Sequence, residues 1–351
     1  MAGGILDFIS RGGSGINYYP WHGGTNLGRN SMYLFDVDAT RDTVARSFVV
    51  SEWKPVTQPD SRPLAWLVWD EPLPAERHDK GIASVEPVEQ LSLTKDSTDY
   101  CWYSATLQVA EAGAQEIVIP YGADFFYLYV DGVLAATSKT PLSEDRGPIT
   151  PDDPGHPRIV ANTSENGHPH GFQHSFILPQ VTPGPHRIDL LVTALGMIKG
   201  DWQIASPMNF ERKGIWEGVK CNGTPLQNWM MKDGLVGEQH KLPARPASVS
   251  WRVASDTRTL RWYKTRLEVP RSLLGGSAVF RMDAAGLGKG MIWVNGRAVG
   301  RHWLIQARSP ADTLSQRHYH VPSDWLQLLN EIVILEEQLA SPATVQLQSR
   351  T

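Results

Sequence analysis

Cleaving a glycosidic bond takes two carboxylates placed on either side of it. Asp36 and Asp38, in FDVDA, are spaced i and i+2. That spacing puts both on one face of a strand, where a D-x-D pair can hold a cation through hard oxygen ligands. In a loop the same pair is simply solvated. Asp70-Glu71 and Asp152-Asp153 stand beside prolines, in the turn-like settings where Asp bonds its own backbone. Glu336-Glu337 closes what reads as the last strand. None of these pairs belongs to a set aimed at a sugar ring, so no catalytic residue is assigned.

Other chemistries fare no better. His168, His170 and His174 cluster in GHPHGFQH, but Pro169 and Gly171 make a loop without defined ligand geometry, so no metal site is expected. His318 and His320, in RHYHVP, fit alternate positions of a plain strand. HGGT at 22–25 has the composition of an oxyanion turn, yet no G-x-S-x-G elbow accompanies it, and there is no P-loop. No cofactor is expected.

The elements that would position any site are strands. EQLSLTK, YCWYSATLQVA, QEIVIPY, FFYLYVDG and HRIDLLVTA are short, rich in β-branched and aromatic residues, and alternate at period 2. The pattern resumes in SVSWRV, RWYKTRLEVP, GGSAVFRM, GMIWVNGRAV, RHYHVP and NEIVILEE, while helical periodicity is scarce. The stretch YCWYSATLQV (100–109) resembles LRWYKTRLEV (260–269), FFYLYVDGVLAAT resembles GMIWVNGRAVGRH, and GPHRIDLLV resembles LLNEIVILE. Trp102 precedes Asp131 by 29 residues and Trp262 precedes Asn295 by 33, so one β module occurs twice. Asp131-Gly132 and Asn295-Gly296 are strong hairpin signals, because both residues tolerate positive φ. The fold class is therefore mainly β: two jelly-roll or β-sandwich modules, over 86–239 and 240–351. Residues 46–85, with prolines at 55, 59, 63, 72 and 74, read as a connector.

Composition sets bounds. The 351 residues are 41% hydrophobic and 20% charged, which fits a globular chain of two or three domains. A net charge of −4 gives no reason to expect nucleic acid as a partner. No run of about 18 apolar residues exists, so no membrane span is expected. Thirteen tryptophans are many; most are expected in cores, and a sugar-facing ring is the sharper alternative. Cys101 and Cys221 are too few for a disulfide scaffold. The opening AGGILDF does not read as a signal peptide, while Asn162 and Asn222 lie in glycosylation sequons.

The stretch RGGSGINYYPWHGGTNLGRN (11–30) resembles the last barrel strand and following loop of family-35 glycoside hydrolases, the β-galactosidases. SMYLFDVDA, TKDSTDYCWY, DFFYLYVDGVLAAT, GKGMIWVNGRAVGRHW and RHYHVPSDWL resemble later pieces of that family, in the same order. The resemblance implies a retaining hydrolase of terminal β-D-galactose residues, built on a (β/α)8 barrel. It makes residues 1–45 a remnant of the catalytic barrel's end, with both catalytic glutamates upstream and absent from this chain. Tyr19 then corresponds to a tyrosine of the galactose pocket, and Trp293 and Trp303 to jelly-roll positions with core roles. It further implies a β-galactoside or glycan substrate and a secreted, lysosomal or vacuolar setting. Residues 40–85 look shortened against the family. The alternative is a non-catalytic carbohydrate-binding or accessory β-sandwich protein.

Overall fold

The computed structural model describes residues 52–58, 63–138, 172–196, 212–244, 249–306, 314–315 and 317–350. The expected barrel-end remnant, with Tyr19, Asp36 and Asp38, lies outside them, as do Asn162, His168 and His170. The chain divides into two compact units: Pro72–Gln239, and Met1–Glu71 together with His240–Thr351.

In the unit Pro72–Gln239, a six-stranded antiparallel sheet runs in the order Ile82–Ser84, Trp229–Asp233, Tyr100–Val109, Gly184–Thr193, Phe125–Val130, Val133–Thr137. A second sheet is built on Gly113–Ala123, which pairs with Phe172–Val181. Alternation along Tyr100–Val109 decides what lies between the sheets. Cys101, Tyr103, Ala105, Leu107 and Val109 join the core with Ile117, Ile119, Phe176 and Leu190. Trp102, Ser104 and Thr106 are left on the opposite face.

The other unit repeats this plan. Its six-stranded sheet runs Arg252–Val253, Leu67–Asp70, Arg261–Glu268, Leu329–Glu336, Lys289–Val294, Arg297–Trp303. Its second sheet is Lys54–Pro55, Gln346–Arg350, Val279–Asp283, His318–Val321. The repeat read from the sequence recurs down to single rungs. Trp102 pairs with Leu191, and Trp262 with Leu335. Each hairpin has a register shift just before its turn, at Leu128/Tyr129 and at Ile292/Trp293. Both turns hold two residues at positive φ: 48° and 81° at Asp131-Gly132, and 51° and 79° at Asn295-Gly296. The side-chain oxygen of the first turn residue accepts a backbone N–H in each case. Asp131 Oδ1 accepts from Arg187 at 2.8 Å, and Asn295 Oδ1 accepts from Glu331 at 2.9 Å. Asp and Asn share that acceptor; beyond it Asn295 Nδ2 donates to the Trp325 carbonyl and Asn330 Oδ1, while Asp131 Oδ2 pairs with His186.

Several expectations change. EQLSLT is not a strand but a short helix, Gln90–Thr94. The Glu89 carboxylate accepts from the Leu91 and Ser92 N–H groups at 2.9 and 2.8 Å, satisfying donors that would otherwise lack partners. The segment read as a connector supplies strands to both units: Leu67–Asp70 pairs with Arg261–Glu268, and Ile82–Ser84 with Trp229–Asp233. Its prolines still matter, since Lys54–Pro55 is an edge strand that pairs only with Gln346–Arg350 among the described residues. That last strand also follows Glu336-Glu337, which closes the strand before it. Phe172–Val181 and Trp229–Asp233 are strands that the sequence pattern did not mark.

Gly290 sits in mid-strand where backbones crowd. A Cβ there would lie 1.9 Å from the Leu335 carbonyl oxygen and 2.9 Å from His302 Nε2. Gly290→Ala is expected to cost about 1–3 kcal/mol or more, because a neighbouring strand's backbone must move. Chemical unfolding of the variant checks this, and an unchanged midpoint would contradict the close approach.

Candidate binding cleft

Residues singled out by type prove to be structural where they are described. His174 is fixed by Ser138 Oγ at 3.0 Å and the Gly122 carbonyl at 3.3 Å, and its ring tilts against Phe126. Burial pushes its pKa down to about 4. His318 and His320 do alternate along one strand, opposite Asp283 and Arg281. Asp70 is not bonded within a turn. It pairs with Arg261 and Arg252, and Glu71 accepts from Trp262 Nε1 at 2.8 Å. Among the described residues no group of three His, Cys, Asp or Glu is placed to hold a metal ion. Cys101 and Cys221 are both free thiols, and burial raises Cys101 to about 12. No described helix is long and apolar enough to cross a membrane.

The described tryptophans are core and packing residues. Trp102, Trp229, Trp262 and Trp303 are buried, Trp262 stacks on Trp293 at 5.4 Å, and no described tryptophan is largely exposed. Asn222, in the tight turn between Lys220–Cys221 and Thr224–Pro225, is exposed. Its Nδ2 donates to Gln115 at 2.8 Å and its Oδ1 accepts from the Glu116 N–H at 2.8 Å.

The polar site that the fold does build lies on the outer face of the six-stranded sheet in Pro72–Gln239. Ser104 pairs with Met230 on one side and Asp189 on the other, and Thr106 pairs with Arg187. Ser104, Thr106, Arg187 and Met230 line an open cleft of about 420 Å³ with Pro74, Asp79, Asn228 and Lys232. Asp189 is only 1% exposed. It accepts from the Ser104 hydroxyl at 2.5 Å and from Arg187 Nε at 2.9–3.0 Å, which fixes the arginine's direction. Arg187 Nη2 also reaches Ser104 Oγ at 3.2 Å, yet the side chain stays 41% exposed.

A second charge group walls the cleft. The buried Arg77 guanidinium donates to the Gly234 and Asp233 carbonyls at 2.6 and 3.2 Å and grips Asp79 with two nitrogens. Lys232 Nζ donates to Asp79 Oδ1 at 3.3 Å and to the Arg77 carbonyl at 3.1 Å. Burial alone would raise the Asp79 pKa, but bonds from Arg77 and Lys232 outweigh it and hold the carboxyl at about 2. The cleft thus presents an anionic acceptor and several fixed donors beside the apolar Pro74, Ala105 and Met230. Sequence reasoning did not find it. The one signal was Asp189 in HRIDLLV, a carboxylate set into an apolar strand run.

Residues 260–330 match the family model "Beta-galactosidase, galactose-binding domain". Along the chain, the probable β-galactosidase 2 of Dictyostelium discoideum is 27% identical over 317 residues, covering 76% of this chain and 37% of that protein. The chain is a relative of the β-galactosidases. β-Galactosidase 10 of Arabidopsis thaliana is 28% identical over 305 residues, with 76% and 37% covered. β-Galactosidase 14 of the same plant is 23% identical over 451 residues, covering 96% of this chain and 47% of that protein. The chain therefore spans less than half the length of these β-galactosidases. The 451-residue alignment is also 100 longer than the chain's 351 residues, so this β-galactosidase has stretches without a counterpart here. The galactose-binding match falls in the unit closed by His240–Thr351, while the cleft lies in that unit's structural repeat.

Proposed function

We propose that this chain is the C-terminal β-sandwich portion of a retaining β-galactosidase, and that it is inactive alone. The carrying observation is the galactose-binding-domain match together with coverage of only 37% of the first relatives. The catalytic glutamates belong to the part not spanned. Support comes from five described carboxylates that are held in structural pairs: Asp70 with Arg261, Asp79 with Arg77, Asp189 with Arg187, Asp283 with Arg317, Glu337 with Lys289. A retaining mechanism needs two carboxyl groups about 5 Å apart across a sugar site. In this reading Tyr19 contacts galactose, and Asn162 and Asn222 accept glycans along a secretory or lysosomal route.

The test is hydrolysis of a nitrophenyl β-galactoside by the purified chain at acid and neutral pH. No turnover is expected, and turnover would overturn the reading. The alternative, a carbohydrate-binding or accessory protein, is favoured by the preformed cleft. Galactoside binding without turnover would support it.

A further inference from the structure

The cleft's chemistry is not a requirement of the fold. In the repeat, the rung equivalent to Ser104–Asp189 is Lys264–Val333, and that of Thr106–Arg187 is Arg266–Glu331. Val333 is buried and apolar where its counterpart is a buried carboxylate. One module therefore manages without the buried charge. Burying a carboxylate, even one paired with an arginine, is seldom stabilising against an apolar residue of similar size. What Asp189 does supply is aim: it takes the Nε side of Arg187, leaving the Nη side toward the cleft. Arg187 Nη1 makes no hydrogen bond among the described residues.

We propose that this cleft binds a uronic-acid residue of a glycan, with the Arg187 guanidinium receiving the sugar carboxylate. A planar guanidinium matches a carboxylate through two parallel N–H bonds. Lys232 lines the same cleft, with its ammonium held on Asp79. Thr106 and Asn228 offer further polar groups to ring hydroxyls, Asp79 accepts from one, and Met230 and Pro74 give the ring's C–H face an apolar surface. Asp79 does not spoil the site for an anion, because Arg77 and Lys232 already neutralise it. The anion preference rests on this geometry; the saccharide rests on the proposed function.

The experiment is titration of the full chain with galacturonate, galactose and acetate, followed by NMR or calorimetry. Galacturonate is expected to bind about tenfold or more tighter than either of the others. Arg187→Lys keeps a cation for Asp189 but loses the fork, so it should erase most of that preference. Thr106→Trp fills the cleft from an exposed rim position outside the ion pairs, so it should abolish binding in a chain that still melts cooperatively. Equal binding of galactose and galacturonate overturns the anion assignment. Acetate matching galacturonate overturns the sugar. Binding that survives Thr106→Trp, or no binding by the folded wild type, overturns the cleft. Galactoside turnover would instead fail the non-catalytic reading and leave the cleft untouched.

Discussion

Lys289→Met is expected to destabilise the unit closed by His240–Thr351 by about 3–5 kcal/mol. Lys289 is 3% exposed and Glu337 1%, and the ammonium is bonded directly to Glu337 Oε2. Its charge also lies 5.6 Å from the Trp303 ring centroid. Methionine keeps most of the stem's volume, so the loss is electrostatic: a buried carboxylate without its cation. The second arm is Lys289→Met with Glu337→Gln, which removes both charges. That pair should recover most of the loss, because the penalty belongs to the uncompensated ion and not to the missing contact. Chemical unfolding of wild type, of Lys289→Met and Glu337→Gln singly, and of the double variant reads the coupling. A single-variant cost under about 1 kcal/mol would mean that the pair is effectively solvated.

This ion pair shows where legibility stops. The repeat could be read because each copy keeps its own local rules. Period-2 strands and a positive-φ dipeptide act within some thirty residues of chain, and both hairpins fold as their Asp131-Gly132 and Asn295-Gly296 turns require. The charge clusters follow no local rule. Ser104 meets Asp189 across 85 positions and Arg77 meets Gly234 across 157, so only the sheet order brings them together. The helix at Gln90–Thr94 was missed because alternation in EQLSLT imitates a strand, and the deciding feature is Glu89 capping two N–H groups. Residues 46–85, read as a connector whose prolines leave room only for short or edge strands, supply strands to both units. Proline forbids long elements but says nothing against a four-residue strand such as Leu67–Asp70 entering a sheet. The candidate cleft was illegible except for Asp189, since its donors come from four separate segments.

The stability of the same unit is expected to fall as pH rises from about 6.5 toward 8, and Glu336 is the reason. Its carboxyl is fully buried and accepts N–H groups of Gly288, Lys289 and Gln338 at 2.9, 3.3 and 2.8 Å. Burial raises the pKa from 4.5 to about 8, against the opposing pull of those donors. The folded state therefore holds a proton that the unfolded state has lost above 4.5. Stability from this group is full below 4.5 and lost as pH rises through 8, by roughly 5 kcal/mol. His302 works in the other direction. Burial lowers it from 6.5 to about 4, and its Nε2 contacts the Leu335 carbonyl at 3.0 Å while Nδ1 has no partner among the described residues. Its contribution is full above 6.5 and lost as pH falls through 4. Between 4.5 and 6.5 the two slopes offset each other, so the decline should emerge above 6.5. Glu336→Gln isolates the carboxyl, because the amide stays neutral throughout. The wild-type stability minus that of the variant should drop steadily from pH 4.5 to 8, read by unfolding at matched ionic strength. A constant difference would show that Glu336 keeps its ordinary pKa in the fold. A rising one would show that the three N–H donors outweigh burial and hold it as an anion.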